Sequence, residues 1–153
     1  MIESSPSKRF QAESFTVMLL RGLVGLIFVL HGWGKVIDVA GTAQNFQNLG
    51  IPEPQIMVYV AIAGEFFAGL GLLVGLFTRV AALGTLCTML VAIITVHFGK
   101  GFWNQNGGYE YPLVLALVSM FFVAYGAGPY SIDAMLKQAQ VPGFRNQRIT
   151  SHA

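Results

Sequence analysis

Residues 56–98 read IMVYVAIAGEFFAGLGLLVGLFTRVAALGTLCTMLVAIITVHF, and Glu65 and Arg79 are their only Asp, Glu, Lys or Arg. Thr78-Arg79 divides them into two apolar runs, 56–77 and 80–98, with almost nothing between. A helix needs about 20 apolar residues to cross about 30 Å of hydrocarbon, and both runs have that length. Only helices and closed barrels satisfy their backbone in lipid, and continuous runs lack the alternation of barrel strands. The stretch therefore predicts two membrane helices joined as a tight antiparallel hairpin.

Two further runs flank this hairpin. Residues 15–36 are apolar apart from Arg21, His31 and Lys35, and residues 111–127 carry no charge. The expected fold class is all-α: a single integral membrane domain, 1–153, built as a bundle of four transmembrane helices. Residues 1–14 and 131–153 are expected as cytoplasmic tails. Between the first two spans, Thr42 could cap a short amphipathic helix that buries Phe46 and Leu49. Past Gly126-Ala127-Gly128-Pro129, Ser131 reads as the N-cap of a short C-terminal helix with Asp133 in its first turn. The stretch from Pro142 onward is expected to be irregular. Lys8 and Arg9 precede the first run as in a signal peptide. However, Arg21 interrupts the apolar core and no small-x-small site follows promptly, so the run is expected to remain as a span.

Composition excludes other classes. Of 153 residues, 54% are hydrophobic and 10% charged, against about 25% charged in a soluble domain. Mean hydropathy is +0.61, which excludes an ordinary soluble or disordered chain. A net charge of +2 without a basic stripe argues against a nucleic-acid partner. The single cysteine, Cys87, excludes an internal disulfide, a CxxC pair and a cysteine-ligated cluster within the chain.

Lys and Arg set the expected orientation. With a cytoplasmic N-terminus, Lys8, Arg9, Arg79, Lys137, Arg145 and Arg148 lie inside, and Lys35 and Lys100 outside. Six against two places both termini in the cytoplasm and puts Trp33 and Trp103 in an outer aromatic belt.

Ionisable groups at bilayer depth cost about 2.5–3.5 kcal/mol each to insert, so they are the candidate functional residues. Counting about 1.5 Å per residue from the cytoplasmic end of each run puts His31, His97 and Glu110 in one outer layer, with Glu65 about 6–7 Å deeper. Arg21, Phe28, His31 and Lys35 share one face of the first helix, and Gly25 and Gly32 beside it would admit a neighbour. Glu65, the deepest of the layer, must be neutral or paired with Arg21 or Lys35. Each group also has a structural reading: Arg21 and Lys35 as snorkellers, the histidines as hydrogen-bonded interfacial groups, Glu110 as a helix-dipole residue.

The stretch His31-Gly32-Trp33-Gly34-Lys35, then Gly50-Ile51-Pro52, Glu65, Gly69-Leu70-Gly71 and Gly75-Leu76-Phe77-Thr78-Arg79 forms an ordered pattern. His97, Tyr109-Glu110-Tyr111-Pro112 and the run from Gly126 to Asp133 complete it. From Val17 to Leu136 the chain resembles the DoxX family. The resemblance implies a small bacterial inner-membrane protein with four spans, of a family whose members commonly carry the label oxidoreductase. It also implies relatives in thiosulfate:quinone oxidoreductase and in membrane redox complexes with soluble partners. Arg21, His31, Gly32, Lys35, Glu65, His97, Glu110 and Asp133 fall on family-pattern positions.

The leading expectation is a redox subunit. His31, Glu65, His97 and Glu110 would be catalytic, and Arg21, Lys35, Trp33 and Tyr109 would bind ligand. The ligand would be a quinone or another small hydrophobic redox molecule, and the electrons would come from a partner protein, because no Gly-x-Gly-x-x-Gly nucleotide site is present. The lipid bilayer is the expected environment, and a homo-oligomer is compatible with the sequence. A non-catalytic scaffold or assembly factor and a small-molecule carrier are the alternatives. A haem held by His31 and His97 is a variant, and no metal-ligand motif is present.

Overall fold

The computed structural model describes residues 6–139, and the expectation for the chain beyond Pro142 lies outside them. The described residues contain helices and turns and no strand. Helix α1 spans Pro6–Ile37, α2 Val39–Asn48, α3 Pro54–Val74, α4 Thr78–Lys100, α5 Glu110–Tyr125 and α6 Ile132–Ala139. By length and composition α1, α3 and α4 can each cross a membrane; α5 is a shorter apolar helix.

Several boundaries depart from the expectation. Residues 6–14 are helical and continuous with the first span. Pro6 suits a first helical turn, and Arg9 pairs with Glu13 one turn on. Helix α2 is capped by Asp38, not Thr42: the Asp38 carboxylate accepts from the Gly41 N–H at 2.8 Å. Thr78-Arg79 is the first turn of α4 rather than the hairpin loop. The reversal comes earlier, at Gly75 with φ +72°, where Leu76 N–H reaches Gly71 O at 2.9 Å in a Schellman closure. Phe77 follows with φ +47°, and α5 ends at Gly126 with φ +85°.

Glycine contacts pin the helix register. Gly25 and Gly32 of α1 lie against the backbone of Leu73 and Phe66, and Gly69 lies against Val29. A Cβ on Gly69 would come within 2.7 Å of Val29 N. Helices α1 and α3 are thus antiparallel, with Arg21 level with Phe77. The hairpin is pinned likewise by Gly71 on Ala81, Ala68 on Gly84 and Gly64 on Thr88, all pairs equidistant from Leu76. At about 1.5 Å per residue, α1 at Phe15 therefore lies about 9 Å beyond the hairpin turn. Depths counted from each run's own end overlook that offset.

The core lies among α1, α3, α4 and α5. Val24, Phe28, Leu72, Ala81, Ala82, Leu115 and Phe122 fill it, and the buried hydroxyls of Thr85 and Ser119 join α4 to α5 at 2.9 Å. Outside it, Leu23, Leu30, Val80, Ile94 and many other large apolar side chains are exposed, as lipid-facing surface requires.

Candidate functional site

Glu65 sits where α3 widens. Over Ala63–Phe67 the helix takes a π turn, in which the Ala68 N–H reaches Ala63 O, five residues back. Helix α4 widens in the same way over Ile93–His97, with Phe98 N–H on Ile93 O. Such turns re-aim side chains and concentrate at functional sites. Each carries one of the residues that the sequence singled out.

Glu65 is 6% exposed, and its carboxylate forms an ion pair with the Lys35 ammonium of α1. Lys35 follows His31 by one turn, yet its Nζ lies 3.5 Å from His31 O. Side chains on a helix lean toward its N-terminus, so Lys35 folds inward to the level of Glu65 instead of reaching the outer surface. Of the two partners considered for Glu65, Lys35 fills the role.

His31 and His97 share a tautomer. His31 Nδ1 lies 2.8 Å from Ile27 O and His97 Nδ1 lies 2.7 Å from Gly107 O. A carbonyl only accepts, so each ring carries a proton on Nδ1, which leaves Nε2 as the acceptor of the neutral form.

His31, Lys35, Glu65 and His97 all line one cavity of about 820 Å³. Its walls are otherwise largely apolar: Val60, Ala61, Phe67 and Ala68 of α3, with Val80, Gly84, Cys87 and Val91 of α4. Asn45, Phe46 and Leu49 of α2 close part of one side. No residue of α5 lines it, so the cavity is a lateral groove on the flank of the α3–α4 pair, not a chamber of the core. Among the described residues no group of three His, Cys, Asp or Glu is placed to hold a metal.

The remaining expected site residues lie elsewhere. Arg21 is buried at the hairpin end, where its guanidinium donates to Leu72 O at 2.8 Å and Tyr130 O at 2.7 Å. Glu110 accepts from the Asn104 N–H at 3.0 Å and closes the 99–110 loop. Trp33 is half exposed and leans on Phe66; Tyr109 packs against Phe98 and Phe102. The common layer also dissolves. The register puts Glu65 level with Cys87 and near His31, and His97 about 15 Å further along α4. His31 and His97 are about 18 Å apart along the axis, too far to share one haem iron.

At the hairpin end the sequence singled out Asp133 for its own helix, but its carboxylate serves another. It accepts from Phe77 N–H at 2.8 Å and Thr78 N–H at 2.9 Å, capping α4 from outside. Burial pushes its carboxyl up, but the hydrogen bonds from Thr78 and Phe77, with nearby Lys137, outweigh this and hold it below the usual carboxylate range. The sequence carries no signal for this cap, because 55 residues separate Asp133 from Thr78.

Comparison with known proteins gives a consistent picture. Residues 16–98 match the DoxX family. The chain is 32% identical over 133 residues to a Bacillus subtilis protein named "Putative oxidoreductase CatD", covering 86% of this chain and 96% of that one. It is 30% identical over 126 residues to the Escherichia coli "Inner membrane protein YqjF", covering 82% and 95%. A Mycobacterium tuberculosis membrane protein is 31% identical over 143 residues, covering 85% and 87%. No solved structure gives a significant match.

Proposed function

Since the chain belongs to the DoxX family of membrane proteins, we propose that it is the membrane subunit of a redox system, binding a quinone or a similar small hydrophobic redox molecule in the lateral groove. The observation that carries this reading is the Lys35–Glu65 ion pair facing a largely apolar groove of about 820 Å³. Such a groove suits a ligand with an apolar body and a carbonyl or hydroxyl head. Lys35 would donate to a ligand oxygen and favour negative charge developing there, Glu65 would hold Lys35 in place, and His31 Nε2 would accept from a hydroxyl. His97, about 15 Å further out, would meet the ligand's other end or a proton path to the surface. Electrons would come from a partner protein.

The same reading places the protein in a bacterial inner membrane with α1, α3, α4 and α5 as four spans and both ends in the cytoplasm. Six Lys and Arg on that side against two on the other support the orientation.

The test is binding of a short-chain quinone to the purified protein, with Glu65→Gln and Lys35→Met beside it. Both variants should weaken binding at least about tenfold, the loss of one charge-assisted hydrogen bond in a dry site. Unchanged quinone binding in both, or none in the unaltered protein, would leave the pair as a structural clamp and favour the scaffold alternative.

A further inference from the structure

A second cavity, of about 580 Å³, opens at the hairpin end between the start of α4, the end of α5 and α6. Arg79 and Lys137 line it together with Tyr125, Pro129 and Leu136. Asp133 is also on its wall, but both carboxylate oxygens accept from the Phe77 and Thr78 N–H groups. Arg79 spends one N–H on Ala124 O at 3.2 Å. Among the described residues neither Arg79 nor Lys137 forms an ion pair. Two cations and one carboxylate therefore line the cavity, which keeps a net positive charge although Asp133 lies near Lys137.

The rim is apolar. Phe77 and Val80 are each 71% exposed, Met135 68% and Leu136 48%. Val80 also lines the lateral groove, so an apolar path leads from the cationic cavity along α4. A free anion has no use for that path; an acyl chain does.

We propose that this cavity binds the phosphate headgroup of an anionic phospholipid between Arg79 and Lys137, with an acyl chain running along Val80. Helix α6 would lie at the membrane surface, with Met135 and Leu136 toward the acyl region and Lys137 toward the headgroup. The assignment rests on neither the redox reading nor the orientation, because this end of the helices reaches a membrane surface either way round.

Native mass spectrometry of the full chain in detergent, titrated with phosphatidylglycerol and phosphatidylcholine, tests it. Phosphatidylglycerol should bind more tightly, and Arg79→Gln and Lys137→Gln should each weaken it about fivefold. Lys100→Gln, beyond the far end of α4's apolar stretch, and Glu65→Gln should leave it unchanged. Arg79→Lys and Lys137→Arg should retain most of the preference, which separates charge from fold. Lys137→Gln, on an exposed helix surface, should also keep the melting temperature of the unaltered chain. Equal binding of the two lipids, or no effect of either glutamine variant, would overturn the proposal. So would displacement of phosphatidylglycerol by millimolar inorganic phosphate, which would make the cavity a site for the free ion.

Discussion

A carboxylate buried in an apolar helix persists through its partner, and for Glu65 that partner is Lys35. Removing one member leaves the other stranded, so Glu65→Leu or Lys35→Met should each cost about 2–3 kcal/mol. This is below the loss for a fully dry pair, because the Lys35 side chain keeps 21% of its surface exposed. Replacing both, as Lys35→Met with Glu65→Leu, should recover most of the detergent melting temperature while quinone binding stays lost. A double variant destabilised by the sum of the two single losses would show that the two residues act independently. Asp133 offers the second test at this scale. Its carboxyl is held below the usual range in the folded protein, so the cap stabilises fully above about pH 4, the unfolded value, and is lost as pH falls through the lower folded value. Amide protection against hydrogen exchange at Phe77 and Thr78 should stay high at pH 5 and fall only in stronger acid. Asp133→Ala, which removes about 1 kcal/mol of capping, should lower that protection at pH 5 and make little difference in stronger acid, where the cap is already lost. Glu65 and Asp133 were both legible as noteworthy residues. The sequence narrowed the partner of Glu65 to Arg21 or Lys35 without choosing and offered none for the Asp133 cap, because a side chain's reach depends on register and lean, which spacing within one helix does not reveal.

Among the elements, the glycines decide how closely the helices approach. Gly25 sits against the Leu73 backbone and Gly69 O, whereas Gly22, one turn earlier on α1, has nothing within 4 Å of where a Cβ would stand. Gly25→Ala should therefore push α1 off α3 and cost about 1–3 kcal/mol, while Gly22→Ala should leave the melting temperature unchanged or slightly raised. Equal effects of the two would refute the register. The amphipathic pattern of α1 made part of its inward face readable: Arg21 and Phe28 on that face are buried, whereas His31 is exposed. The ends of elements were less readable. The hairpin turns at Gly75 rather than Thr78-Arg79 because a left-handed glycine and an external carboxylate cap let α4 begin at once. The π turns left no mark in the hydropathy pattern, since one extra residue in a turn does not change which residues are apolar.

At the scale of the whole molecule, the charge count makes a topology that labelling can check. In a Cys87→Ser background, Gln105→Cys should react with a membrane-impermeant thiol reagent in whole cells, and Gln138→Cys should react only after permeabilisation. The reverse pattern would invert the proposed orientation. The sequence alone determined that this is a helical membrane protein, because 54% hydrophobic residues in runs of span length leave no other way to satisfy the backbone in lipid. It also determined which few ionisable side chains warrant attention, because burying a charge in such runs is costly wherever it falls. Only the tertiary structure decided which of them meet. It gathered His31, Lys35, Glu65 and His97 on a lateral groove, left Arg21 at the hairpin end and Glu110 in a loop, and turned Asp133 to cap a helix 55 residues away. The physical reason is that depth and facing are relative quantities. They follow from how far one helix slides along another before backbone meets glycine, and no single helix carries that distance in its own sequence.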